Sequence, residues 1–336
     1  MVIDRRTALL GMAGVASLGL TRPACAQVQE AIAYSEARNG VSVLVMQGDQ
    51  VVSESYANGG GDDRAWELAS GTKSFCGVLA AALVQDNLLT LDEVCADTLP
   101  EWRDDPVKSR ATIRTLLNLT SGIGTSSSGR PPTYGAALTE PVFAAAGAVF
   151  RYSPTPFQAF GEIVRRKLVA AGRTDDVLAF MRDRLLDPIG VNVGSWRTRE
   201  GQPTLPSGCQ LTARDWARFG RFVLDGGRVD GRALVDAEAL AACFQPSALN
   251  PGYGLSWWLL RPGLVAPSPR SGVNGDLGRL GGLPDIRMAA GAGNQRLYLL
   301  PERDMVIVRQ ATGIMAAMLG RGADWSDADF LRPILA

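Results

Sequence analysis

Strand-like runs stand near both ends of this 336-residue chain and almost nowhere between them, which leaves few folds open. Val41–Gln47 and Val51–Tyr56 are β-rich and separated by Gly48-Asp49-Gln50, the signature of a hairpin. Far down the chain, Gln295–Leu300 and Met305–Gln310 repeat the pattern around Pro301-Glu302-Arg303-Asp304. Residues 92–204 read instead as helix and loop, with Thr112–Leu119, Phe157–Ala171 and Thr174–Leu186 as the clearest helices. Helical patterns also cover 28–38, Ser70–Asn87, Thr212–Leu224 with Thr212 as its cap, and a short segment from 325. The economical architecture is α/β of the α+β kind: one antiparallel sheet built from both termini, flanked by helices, with an all-helical domain inserted. The corresponding division is an export signal at 1–26, a discontinuous α/β domain at 27–78 plus 205–336, and a helical domain at 79–204. Residues 262–285 are rich in Gly and Pro without periodicity, and loops of that length often border active sites.

Apolar residues make up 46% of the chain, enough for a sizeable core. Arg5-Arg6 precede an apolar run from Thr7 to Leu20, and Ala24-Cys25-Ala26 offers small residues for cleavage before Gln27. The arginine pair resembles a twin-arginine signal, so a periplasmic or secreted location is expected. The run is too short and too rich in Gly, Ala and Ser to span a bilayer comfortably, and nothing later replaces it, so no stable membrane insertion is expected after signal removal. Without residues 1–26 the charge is about −2 with no basic cluster, which gives nucleic acid no electrostatic foothold. Cys76, Cys95, Cys209 and Cys243 would remain and permit three full disulfide pairings; Cys76 lies on an apolar helix and reads as a buried thiol.

The chain contains no histidine, so a Ser-His-Asp triad, a Cys-His dyad and histidine-ligated metal are all excluded. No cysteine spacing suggests a metal site, and no cofactor is implied. Of the 34 basic residues 31 are arginine; the lysines are Lys73, Lys108 and Lys167. Lys73 follows Ser70 by three positions at the start of the most apolar helical run, so both would project from one face. A lysine near its ordinary pKa of about 10.4 is a poor base unless burial lowers it, and tyrosine is the other proton carrier left. From the residues alone, Ser70 and Lys73 also fit an N-cap and a surface lysine.

Trp66-Glu67-Leu68-Ala69-Ser70-Gly71-Thr72-Lys73-Ser74-Phe75 resembles the nucleophile segment of the serine β-lactamase and penicillin-binding-protein superfamily. The likeness is to its class C-like branch, with esterases and 6-aminohexanoate-dimer hydrolases. It continues through Asp86–Asp92, Leu99–Trp102, Leu116–Gly122, Leu211–Gly220, Tyr253-Gly254, Trp257-Trp258 and Gln295–Gln310. The resemblance implies a β-lactamase/transpeptidase-like fold, with Ser70 as nucleophile and Lys73 and Tyr152 as acid-base groups. Tyr152 falls in Phe150-Arg151-Tyr152-Ser153-Pro154, where Pro154 stands in place of the motif's asparagine. The third motif, Lys-Thr-Gly in many relatives, is replaced by Ala289-Ala290-Gly291-Ala292-Gly293 without a lysine. A backbone N–H within Ala290, Gly291, Ala292 and Gly293 is expected to complete the oxyanion hole. Tyr134 and Trp257 are candidate cleft residues, each with a core or surface role as the plain alternative, and Ser126-Ser127-Ser128 reads as a turn.

In such enzymes the third-motif lysine helps hold a substrate carboxylate. Its absence favours a small-molecule carboxylic ester or a short linear amide of the 6-aminohexanoate-oligomer kind. A β-lactamase or DD-peptidase comes second, unless Arg287 or Arg296 supplies the charge. A sensor that is acylated without turnover is the alternative of another class, favoured by Pro154.

Overall fold

The computed structural model describes residues 22–124, 130–268, 271–273, 280, 285–322 and 324–336. The expected export signal up to Thr21, the Ser126–Ser128 turn and much of the 262–285 stretch lie outside the described residues.

Six strands form the main sheet: β1 Gly40–Gln47, β2 Gln50–Tyr56, β3 Trp258–Leu259, β4 Arg287–Gly291, β5 Gln295–Leu300 and β6 Met305–Ala311. They run in the order β3-β4-β5-β6-β1-β2, and every neighbouring pair is antiparallel. The two hairpins meet where β1 pairs with β6, Val45 opposite Ile307. Both strands are covered on both faces, which is why Val43–Met46 and Val306–Val308 are continuous apolar runs. At the edge, β2 is largely solvated and carries Gln50, Ser53, Glu54 and Ser55 among its apolar residues.

Helices cover the two faces. Helix α1, Arg22–Glu36, begins several residues before the sequence pattern suggests and lies with the C-terminal helix on one side. On the other side are α2, Ser74–Gln85, and α4, Ala213–Leu224, with α3, Thr155–Ala170, among the helices from the middle of the chain. Thr212 caps α4 by accepting from the Asp215 N–H. Gly220 lets α4 lie close on the sheet, since a Cβ there would come within 2.8 Å of Leu297 and Val306. The C-terminal helix α5, Asp327–Leu335, stacks Phe330 on Tyr298 from the opposite face.

The expected helix Ser70–Asn87 is in fact two pieces, a 3₁₀ turn at Ala69–Lys73 followed by α2. Ala69 has a φ of 47°, left-handed backbone that a non-glycine residue adopts at a cost of about 1–3 kcal/mol. That kink brings the chain out of a short strand, where Trp66 pairs with Leu211 and Glu67 with Gln210, and turns it into the helix. Strands β3 and β4 had no clear sequence signal. Among the described residues Cys76, Cys95, Cys209 and Cys243 are buried thiols without disulfides, and no helix is long and apolar enough to cross a membrane.

Candidate active site

The 3₁₀ turn decides how the two motif residues meet. With about three residues per turn, positions i and i+3 eclipse, so Ser70 stands directly over Lys73. Lys73 Nζ lies 3.1 Å from Ser70 Oγ and donates to the Pro206 carbonyl at 3.0 Å. Ser70 is partly open to solvent, whereas Lys73 is buried. Its surroundings are the faces of Tyr152 and Phe157, with ring centroids 4.7 and 5.6 Å from Nζ, and Cys76 one turn on. Among the described residues no carboxylate pairs with it. Burial therefore lowers the Lys73 pKa from its ordinary value to about 7, with the nearby Cys76 opposing.

Tyr152 is the third group at this point, its ring face turned to Lys73 Nζ. Burial pushes its hydroxyl up to about 12, against the opposing influence of Ser70 and of the Arg296 charge. Its ring stacks on Trp258 at 5.5 Å, and Tyr253 meets both edge-on. The tryptophan that supports the site is thus Trp258. Trp257 lies behind it, fully buried between Phe219 and Phe244, and offers a substrate no surface. Tyr134 is also buried, at the start of a short helix, with its ring against Gly161; a Cβ there would fall 2.3 Å from Tyr134 Cζ.

Pro154 caps α3 and supplies no amide to Lys73. The acceptor that Lys73 uses is the Pro206 carbonyl, and sequence reasoning missed what holds it. Gln158, buried on α3, accepts from the Leu205 N–H at 3.0 Å and donates to the Pro132 carbonyl at 2.6 Å. Its amide ties two loops together beside Lys73. No sequence pattern marks it, because glutamine on a helix is ordinarily a surface residue.

Strand β4 runs alongside the nucleophile turn. A Cβ on Gly291 would stand 2.1 Å from the Leu68 carbonyl oxygen and 3.1 Å from the Gly71 N, so only glycine permits this approach. Gly71 is constrained in turn by the Trp216 ring, 3.0 Å from where its Cβ would lie. Thr72 Oγ1 fixes the turn by donating to the Ala69 carbonyl and accepting from the Cys209 N–H. Beyond Gly291 the hairpin turns through Ala292, Gly293 and Asn294. Among the described residues no acceptor takes the N–H of Ser70 or that of Ala292. Ala290 is buried on β4, and Gly293, with φ of 74°, packs against Ile314. Ser70, Lys73 and Tyr152 therefore converge, Gly291 borders the Ser70 turn with Ala292 next to it in the chain, and Tyr134 and Trp257 belong to the surrounding core.

This arrangement coincides with a family match: the Beta-lactamase family model covers residues 25–313. The chain belongs to the β-lactamase family. It is a β-lactamase-fold serine hydrolase, the coarse class to which the family's enzymes belong. No curated protein matches the chain. Solved structures do. A protein provisionally named a 6-aminohexanoate-dimer hydrolase, from Bacillus anthracis, superposes with a TM-score of 0.66 at 19% identity, over 86% of this chain and 79% of that one. A penicillin-binding protein homologue from Caulobacter crescentus gives 0.67 at 18% identity, over 94% and 96%. EstCE1, described as a hydrolase with promiscuous acyltransferase activity, gives 0.68 at 14% identity, over 94% and 99%. At such identities these likenesses speak for the β-lactamase-family fold alone.

Proposed function

We propose that this protein hydrolyses carboxylic esters or short linear amides of the 6-aminohexanoate-oligomer kind through an acyl-enzyme on Ser70. The observation that carries the reading is a buried amine, Lys73 Nζ, without a carboxylate partner and 3.1 Å from Ser70 Oγ. With a pKa of about 7, Lys73 is neutral in much of the population at neutral pH and can take the serine proton. Tyr152, held up to about 12, keeps its proton and is the donor in the relay rather than the base. Ser70 Oγ bonds to the substrate carbonyl carbon while its proton passes to Lys73. The N–H groups of Ser70 and Ala292 hold the resulting oxyanion. The C–O or C–N bond then breaks as the leaving group receives a proton from Lys73 by way of Tyr152. Water attacks the acyl-enzyme, gives its proton to Lys73, and the acid departs as Ser70 is reprotonated.

The substrate class follows from which charges are occupied. The third-motif position carries no lysine. Arg296 is buried and paired with Asp327 at 2.8 Å; Arg287 is tied to Asp285 at 2.9 Å and lies over the Phe244 ring. Neither stands free to hold a substrate carboxylate, which weighs against β-lactams and cell-wall peptides. The names of the Bacillus anthracis protein and of EstCE1 point the same way by analogy. Export by the twin-arginine route remains part of the proposal and rests on Arg5-Arg6 and the apolar run after them.

Purified protein assayed on a p-nitrophenyl ester, a linear 6-aminohexanoate dimer and a chromogenic cephalosporin tests this. Sustained turnover of the ester or the dimer is expected, with kcat/KM on the cephalosporin lower by about 100-fold or more, the loss typical of a missing charged contact. A preference for the cephalosporin would contradict the reading. A burst that stops at one equivalent would make the protein an acyl-binding sensor.

A further inference from the structure

We infer that two buried arginines, Arg296 and Arg309, build the oxyanion site from the far face of the sheet, Arg296 acting through the Gly291–Ala292 peptide. The inference rests on the acyl-enzyme reading above and concerns what positions its oxyanion donor.

Arg296 on β5 and Arg309 on β6 are direct cross-strand partners and both are 0% exposed. Residues alternate between faces along a strand. Gly291 and its partner Gln295 belong to the face that meets the Ser70 turn, so Arg296 belongs to the other, where α5 lies. There its Nε donates to Asp327 at 2.8 Å, and Tyr298 and Trp325 donate to the same carboxylate oxygen. Arg296 Nη1 reaches back to the carbonyls of Gly291 at 3.3 Å and Gln295 at 3.1 Å, and Nη2 donates to Gly272. Arg309 Nη1 takes the next two carbonyls, Gly293 at 3.1 Å and Asn294 at 2.8 Å. Its remaining bonds go to Ser35 Oγ and the Arg38 carbonyl, and its guanidinium lies over the Trp325 ring. Four of the five carbonyls from Gly291 to Gln295 are thus held by two guanidinium groups.

The peptide plane turns that into function. In a trans peptide the C=O and the following N–H point opposite ways. With the Gly291 oxygen drawn toward Arg296, the Ala292 N–H points away from it, toward the side occupied by Ser70. The cationic donor on the oxygen also polarises the peptide, strengthening the N–H as a donor. Charge supports the same conclusion. Arg296 has the Asp327 carboxylate, whereas the bonds of Arg309 go to uncharged acceptors, so the pair carries positive charge beneath the place where the oxyanion forms. Burial and repulsion from Arg296 pull the Arg309 guanidinium down to about 9, which still leaves it charged at neutral pH. The Arg296 field reaches the cleft, where it acts on Tyr152.

Removing Arg296 alone would strand a buried carboxylate, so the informative variant is the double change Arg296→Met with Asp327→Asn, beside Asp327→Asn alone. The readouts are the rate of Ser70 labelling by a fluorophosphonate and the infrared stretch of a ¹³C-labelled acyl carbonyl on the enzyme. The double variant is expected to label about 10- to 100-fold more slowly, less than the full loss of an oxyanion donor, and to show a higher carbonyl frequency. Asp327→Asn alone keeps the Arg296 contact and is expected to label within about threefold of the parent and keep its carbonyl frequency. Should the double variant not fold, Arg296→Lys, which keeps a cation but not the two-carbonyl fork, is expected to label about 3- to 10-fold more slowly. Parent-rate labelling by a folded Arg296 variant overturns the inference, as does an equal loss in Asp327→Asn alone, which would mean the network is merely structural. A parent protein that does not label at Ser70 would instead overturn the acyl-enzyme reading itself.

Discussion

Replacing Lys73 with methionine should remove about 10³-fold or more of the turnover and at the same time make the protein more stable. The two effects share one cause. In the folded protein burial lowers the Lys73 pKa from 10.5 to about 7, while in the unfolded chain it returns to its ordinary value. Below pH 7 both states are protonated, and the fold bears the whole cost of a buried charge. At 1.36 kcal/mol per pH unit that cost is on the order of 5 kcal/mol. Between pH 7 and 10.5 it is relieved as the folded state releases its proton first, and above 10.5 it is gone. The stability of the parent should therefore gain from this group as pH rises through that window, and the variant should lose that slope. Methionine also forgoes the bonds to Ser70 and Pro206, each worth about 1 kcal/mol, so the net gain at pH 6 should be about 2–4 kcal/mol. Thermal melts at pH 6 and pH 10.5 check the stability. A pH–rate profile of the parent, with kcat/KM rising through pH 7, checks the chemistry. A variant no more stable at pH 6 than its parent would mean that Lys73 is solvated and not the tuned base described here.

Gly291→Ala carries the second large effect. Its Cβ would lie 2.1 Å from the Leu68 carbonyl oxygen, which is backbone and has no flexible end to swing aside. Strand β4 would have to retreat from the nucleophile turn by roughly 1 Å, a displacement that commonly costs about 10²-fold in rate. The expected result is a drop of that order or more in kcat/KM, with the Ala292 N–H carried away from the oxyanion. Gly135→Ala is the matching control. Nothing lies within 4 Å of its Cβ position, and it sits on a helix. There alanine should be neutral or stabilising by about 0.5–1 kcal/mol. Kinetics and melts on the two variants separate a local clash from a general sensitivity to added methyl groups.

Much of the molecule was legible because its sheet is built from local hairpins. Val41–Tyr56 and Gln295–Gln310 show themselves in β-rich runs and turn residues, and both are found as strands. The Ser70–Lys73 pair was legible through a motif whose residues lie close together in sequence, and Tyr152, far along the chain, only through the family resemblance. What escaped was set by tertiary contact. Arg287–Gly291 has small residues and no β-branched run, and becomes a strand because β5 offers it a ladder. The 3₁₀ turn at Ser70 depends on the strained Ala69, which no periodicity announces. Trp257 and Trp258 are adjacent, and only their tertiary ring contacts show which one faces Tyr152. Pattern reasoning places arginine and glutamine outside, so Arg296, Arg309 and Gln158 could only be found once their carbonyl partners were in view. Pro154 is intelligible on the same terms: the acceptor for Lys73 is the Pro206 backbone carbonyl, invisible to any search for a side-chain amide.

The central claim is that Ser70 is the residue acylated, with the amine beneath it taking the proton. Treating the purified protein with a fluorophosphonate and mapping the adduct by peptide mass spectrometry tests it most directly. The account predicts one adduct per chain, on Ser70, formed faster as pH rises through 7 and lost when Lys73 is replaced by methionine. An unmodified protein, or an adduct on any other residue while Ser70 stays free, would contradict it.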